Sequence, residues 1–178
     1  MATTGMTVPA FRWRSTFGVG TVFFLANGAI NIFAALFVPL TLHLGGAAAV
    51  PGLVLSEEAD TALLGRSVAD IAARDPHLGV YLVSFMDTMC AFMMVFGIAY
   101  VAIAWAALRR SEPWAYWTLV VSGIAWVPYY LVIAQTYAAN GVRTGLGEYG
   151  VALFALPAIV GAILARPLAK PRGSRARG

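Results

Sequence analysis

The sequence predicts an all-α integral membrane protein: a four-helix transmembrane bundle with a short external amphipathic helix between spans one and two. Hydrophobic residues make up 60% of the 178 residues and charged residues only 11%, whereas a water-soluble domain is roughly 45–50% apolar and about 25% charged. The mean hydropathy is +0.77. With the exception of Asp87, the charged residues also fall outside four long apolar stretches instead of being spread along the chain.

This composition excludes several functional classes. A chain this apolar is neither a soluble enzyme nor a nucleic-acid-binding module nor a disordered protein, so we predict no nucleic-acid partner. The single cysteine, Cys90, excludes an intrachain disulfide, a CxxC redox pair and a zinc site built from several cysteines. The sequence contains no His-x-x-x-His, no nucleophile elbow and no P-loop, and we therefore predict no catalytic residue.

The predicted spans follow from the apolar stretches, because a bilayer core about 30 Å thick needs about 20 apolar residues in a helix. The first stretch has about 28 residues, roughly twice the length of a signal-peptide core, so we expect a retained helix. One membrane domain, 1–168, is predicted, followed by a basic, disordered cytoplasmic tail, 169–178. The spans lie at about 17–44, 79–108, 114–137 and 149–165.

The external segment 45–78 is long enough to fold. Ser56 is a suitable N-cap, the acidic residues after it favour a helix N-terminus, and the pair Asp75-Pro76 is a stop signal. These features predict one short amphipathic helix lying on the bundle or on the outer leaflet. Its apolar face comprises Leu64, Val68, Ile71 and Ala72.

The positive charges predict the orientation. Nine of the 12 Lys and Arg residues precede span one, lie between spans two and three, or follow span four. The positive-inside rule then places both termini in the cytoplasm. We expect a multi-pass protein of the bacterial cytoplasmic (inner) membrane.

Polar residues inside the spans are the candidate functional residues, because a central Asp costs about 2.5–3.5 kcal/mol. Asp87 is the carboxylate within a predicted span, and residue counting gives Asn31 a similar depth. We therefore hypothesise that Asn31, with Asn27 one turn before it, hydrogen-bonds to Asp87. The cluster is either a ligand-binding pocket or an interhelical contact, and comprises Asn27, Asn31, Ser84, Asp87, Tyr129, Tyr130 and Gln135.

Sulfur-bearing side chains form a stripe on span two. Thioether and thiolate ligands suit Cu(I), and the spacing of Met89 and Met93 resembles a motif of high-affinity copper transporters. Packing is the alternative, since Met fills irregular gaps. His43 and His77 fall at the external interface, where capping or solvation is a simpler expectation than a shared metal site. The stripe comprises Met86, Met89, Cys90, Met93 and Met94.

Three stretches resemble small four-helix bacterial membrane proteins of the DoxX-like type. They are 36–39 at the end of a long first helix, the pair Asp75-Pro76, and Arg-Arg-Ser-Glu-Pro-Trp-Ala-Tyr-Trp at 109–117, which opens span three. The resemblance implies a compact bundle that is accessory to a membrane redox or transport complex.

Three functions are therefore expected in order. The first is a non-catalytic accessory or assembly subunit, with membrane lipids and other membrane subunits as partners. The second is a binding or transport protein for a quinone, a lipid or a proton-coupled solute, centred on Asp87. The third is a small membrane enzyme. No cofactor is predicted, although a quinone or lipid would suit the second function.

Overall fold

A computed structural model describes residues 11–45, 52, 54–143 and 149–166. Within these residues the chain is helical and contains no β-strand. The predicted disordered tail, 169–178, lies outside the described residues. The helices are α1 (Thr16–Gly45), α2 (Glu57–Leu64), α3 (Val68–Arg74), α4 (Pro76–Ala106), α5 (Pro113–Ile124), α6 (Val127–Ala139) and α7 (Tyr149–Ala165), with a 3-10 turn at Leu108–Arg110.

Among the residues that the structure describes, three helical stretches are long and apolar enough to cross a membrane: Thr16–Gly45, Pro76–Arg110 and Pro113–Ala139. They indicate a membrane protein. Helix α7 coincides with the predicted stretch 149–165, but it has 17 residues, or about 26 Å at 1.5 Å per residue. Because a bilayer core is about 30 Å thick, the length of α7 does not by itself make it a span.

Helices α1 and α4 touch backbone to backbone at two glycines. A Cβ atom on Gly97 would lie 2.8 Å from the carbonyl oxygen of Gly28 and 2.7 Å from Cγ1 of Ile32. A Cβ atom on Gly28 would lie 2.7 Å from Cγ2 of Val101. Small residues allow membrane helices this close approach, which maximises van der Waals contact between them.

An aromatic core joins α1, α4, α5 and α7. Phe24, Tyr100 and Tyr116 are buried within it. The Tyr100 hydroxyl donates to the carbonyl of Leu119 at 2.7 Å, and the Tyr116 hydroxyl donates to the carbonyl of Ala162 at 2.9 Å. Both hydroxyls therefore have an acceptor, as buried polar groups require, and both bonds link α5 to a neighbouring helix.

The predicted third span is interrupted by a turn at residues 125–126, between α5 and α6. Pro128 has no N–H group and cannot donate to the carbonyl of Ile124, which breaks the regular pattern. The indole N–H of Trp126 donates to the carbonyl of Gly123 at 3.0 Å. In an unbroken α-helix that carbonyl would accept from the N–H of Val127, so the indole group supplies a donor where the helix is interrupted.

The described part of the external segment contains two short helices, α2 and α3, where one was predicted from the sequence. Gly65 ends α2 in the left-handed conformation, at φ 70°, which glycine adopts without steric cost. Ser67 then starts α3 with a capping box, in which its hydroxyl accepts from the N–H of Asp70. Hydrogen bonds from Ser67 lower the pKa of Asp70. The predicted N-cap at Ser56 is confirmed, since its hydroxyl accepts from Ala59 at 3.2 Å.

Asp75 connects α3 to α4. Its N–H donates to the carbonyl of Ile71 at 2.9 Å and so ends α3. Its carboxylate accepts from the N–H of Leu78 at 3.0 Å and so caps α4. The predicted stop signal at this residue is confirmed, and the same residue starts the next helix.

Arg109 joins the residues before α1 to the end of α4. Its guanidinium carbon lies 4.1 Å from the ring centroid of Trp105, and 5.3 Å from those of Phe11 and Trp13. These are cation–π distances. Through these contacts Arg109 joins the residues just before α1 to the last turn of α4.

We expect Gly97→Val to lower the free energy of unfolding by about 3 kcal/mol, because its new methyl groups meet backbone atoms of α1 that cannot move aside. Thermal unfolding of the purified protein in detergent measures this. Ala99→Val is the control, since Ala99 is exposed on α4. Equal unfolding temperatures for the two variants would contradict the close contact.

Candidate functional site

The two asparagines of the predicted cluster are buried together in α1. The amide nitrogen Nδ2 of Asn31 donates to the carbonyl oxygen of Asn27 at 2.9 Å and to its side-chain Oδ1 at 3.0 Å. The exposed fractions are 2% for Asn27 and 8% for Asn31. The predicted shared face is therefore present, and the first of these contacts is a side-chain bond to the preceding turn.

Asp87 has a different partner from the one that the sequence analysis proposed. Its Oδ2 atom lies 3.0 Å from Nε2 of His43, near the end of α1. Asp87 makes no hydrogen bond to Asn31. The side chains of His43 and Asp87 are 61% and 37% exposed. The other carboxylate oxygen, Oδ1, is buried and accepts no hydrogen bond from the described residues. The hypothesis of a bond between Asn31 and Asp87 is wrong.

The register of the antiparallel helices explains this difference. Gly28 faces Val101 and Ile32 faces Gly97, so four residues forward in α1 correspond to four residues back in α4. Eleven residues beyond Ile32, this register places His43 opposite residue 86, next to Asp87. Asn31 instead lies level with residue 98, about 16 Å along the axis from Asp87.

The remaining residues of the predicted cluster lie on α4 and α6, where Ser84, Tyr129 and Gln135 are exposed. The Ser84 hydroxyl donates to the carbonyl of Val80 at 2.9 Å, and Tyr129 is 74% exposed. Gln135 is exposed as well. Tyr130 is half-buried, with its ring centroid 5.9 Å from that of Trp126. The described residues show no extended contact of α6 with α1 or α4.

The sulfur stripe of α4 has mixed surroundings. Met86 packs against a small cluster formed by Leu42 and Val68, and Cys90 is buried. Met89 is 41% exposed. The described residues contain no group of three or more His, Cys, Asp or Glu side chains that could hold a metal ion. A Cu(I) site of thioethers stays a prediction, while the contacts of Met86 are those of a packing residue.

Asp60 is a buried acidic residue that the sequence analysis did not single out. It is 2% exposed. Its Oδ1 atom accepts from the hydroxyl of Tyr137 at 2.6 Å, and its Oδ2 atom accepts from the N–H of Val54 at 3.0 Å. Ala59, Tyr137 and Val142 form an apolar cluster beside it. This polar contact ties the external segment to the end of α6.

The sequence offered only a weak signal for Asp60. Asp60 is one of three acidic residues in the first turn of α2. Its presence there is already explained by the favourable interaction of negative charge with a helix N-terminus. Its partner Tyr137 is 77 residues away along the chain, which no local pattern can show.

Comparison with protein-family models, with curated proteins and with solved structures gives no match to this chain. The DoxX-like resemblance accordingly stays a prediction from the sequence.

We expect Tyr137→Phe to lower the free energy of unfolding by about 2 kcal/mol, because it removes a buried hydrogen bond to a carboxyl group. Tyr129→Phe removes an exposed hydroxyl from the same helix and should change stability by less than about 0.5 kcal/mol. Thermal unfolding in detergent compares the two. A loss at Tyr129 as large as that at Tyr137 would contradict the contact with Asp60.

Proposed function

We propose that this chain is a non-catalytic accessory or assembly subunit of a bacterial inner-membrane complex for redox chemistry or transport. Helix α6 would be its contact surface for another membrane subunit. The observation that carries this proposal is the poor coverage of the third apolar stretch. In the most apolar 18 residues of each stretch, 33% of the first and 28% of the second are buried, but only 11% of the third.

The side chains of α6 favour a protein partner over lipid alone. Tyr129 is 74% exposed, next to exposed Leu131 and Val132, and Gln135 and Thr136 are also exposed. Lipid tails offer no hydrogen-bonding group to a phenol or an amide, whereas a neighbouring helix does. A mixed polar and apolar face of this kind suits contact between membrane helices.

The proposed topology has four spans with both termini in the cytoplasm. Support for the fourth span comes from the position of α7 beside α1, where Gly161 packs against Gly20 and Phe24. These contacts lie along the first apolar stretch and not beyond its end. The excess of Lys and Arg at the proposed cytoplasmic side supports the orientation.

Photo-cross-linking in native membranes tests the subunit proposal. A photoreactive residue at Val132 should cross-link to a different membrane protein, which mass spectrometry then identifies. The same residue at Phe33, exposed on α1, is the matched control and should give mainly lipid adducts. Lipid adducts alone at Val132, or a cross-link only to a second copy of the chain, would contradict the proposal.

A second candidate function, binding of a small ligand, is favoured by the unpaired oxygen of Asp87. Asp87 lies in an apolar helix, and its Oδ1 atom is buried and accepts no hydrogen bond from the described residues. A donor group on a ligand would satisfy this oxygen. His43, already 3.0 Å from the other oxygen, would hold the carboxyl group in position.

Mass spectrometry of co-purified small molecules tests this second function. We expect a compound that wild-type protein retains and that Asp87→Asn retains at least tenfold less, since the amide keeps the shape but loses the charge. Asp70→Asn, which changes an exposed carboxylate outside the spans, is the control. The same small molecules in equal amounts from wild type and Asp87→Asn would exclude the role of Asp87.

A further inference from the structure

A groove of about 460 Å³ opens where α4 ends and α5 begins. Ala102, Ile103 and Ala106 from the last turns of α4 provide apolar lining. Arg110, Glu112 and Trp114 line it from the connecting residues and the first turn of α5. The volume falls in the range of about 300–1,000 Å³ that is typical of small-molecule sites.

The position of the groove places it at one membrane boundary. The residues between α4 and α5 connect two stretches that are long and apolar enough to span, so they lie where hydrocarbon gives way to headgroups. Trp114 is 55% exposed, and tryptophan is enriched at this depth. The lining therefore runs from hydrocarbon-compatible alanines to charged groups at the headgroup level.

The groove presents one positive and one negative side chain. Arg110 and Glu112 are both exposed, and neither has an ion-pair partner within 4 Å among the described residues; there the one such pair is His43 with Asp87. A guanidinium group binds phosphate through paired hydrogen bonds. A carboxylate accepts hydrogen bonds from a primary ammonium group.

We propose that this groove binds a zwitterionic phospholipid with a primary ammonium group, namely phosphatidylethanolamine. Arg110 binds the phosphate, Glu112 accepts from the ammonium group, and an acyl chain lies along Ala102, Ile103 and Ala106. Glu112 disfavours phosphatidylglycerol, which has the phosphate but no cation. Phosphatidylcholine is weaker because its quaternary ammonium has no N–H to donate. The site requires a chain in the membrane but does not depend on any partner complex.

Native mass spectrometry of the delipidated full-length protein tests the site. Phosphatidylethanolamine, phosphatidylglycerol and phosphatidylcholine with identical acyl chains are titrated separately. Wild type should bind phosphatidylethanolamine about three- to tenfold more tightly than either of the others. Glu112→Gln should remove the preference over phosphatidylglycerol, because it removes the negative charge, and Arg110→Gln should weaken all three lipids. Arg14→Gln and Glu58→Gln, which change exposed charges elsewhere, should behave as wild type.

Ala106→Trp fills the groove without changing its charges and should weaken all three lipids. If this variant fails to fold, Arg110→Gln and Glu112→Gln still test the lipid site, because they change exposed side chains. Equal affinity of wild type for the three lipids, or a preference for phosphatidylethanolamine over phosphatidylglycerol that survives Glu112→Gln, would overturn the proposal.

Discussion

The contact of α1 with α4 at Gly28 and Gly97 determines where the other side chains of both helices meet. Because neither glycine has a Cβ atom, the backbones approach until atoms of Ile32 and Val101 fill the remaining space. A one-residue slip would place larger side chains in that contact. The register follows from this restriction, and with it the meeting of His43 and Asp87 at 3.0 Å. The same register keeps Asn31 near the middle of the pair, where it bonds within its own helix.

Packing is uneven along the molecule. Around Phe24, four helices bury aromatic rings and satisfy two tyrosine hydroxyls through carbonyls of neighbouring helices. Helix α6, which follows the interruption at residues 125–126, has little of this coverage and meets the external segment through Tyr137 and Asp60. A helix held at one end and open along its length can accept a neighbour without first losing internal contacts. This contrast is the physical basis for placing the proposed subunit contact on α6.

Much of the fold could be predicted because its determinants are local. Gaps between charged residues marked the apolar helices, and Ser56 and Asp75 marked helix ends through their capping chemistry. The candidate site was harder to predict, because the depth of Asn31 was counted from an assumed membrane edge near residue 17, whereas its level relative to Asp87 depends on how α1 and α4 are aligned. Helix register depends on how the surfaces of two helices fit together, and counting residues along one helix gives no information about that fit. The break at Gly65 was missed because the apolar pattern continues across it, although the glycine itself was visible in the sequence.

Asp75 has a mechanical consequence. Since one residue ends α3 and caps α4, no linker separates the two helices, and Gly79 brings α4 against Ala72 of α3. The angle between α3 and α4 is therefore fixed by these contacts, and we expect the two helices to behave as one rigid unit. If α4 shifts along its own axis, we expect the whole of α3 to be displaced with it, because no flexible loop between the two helices absorbs the movement.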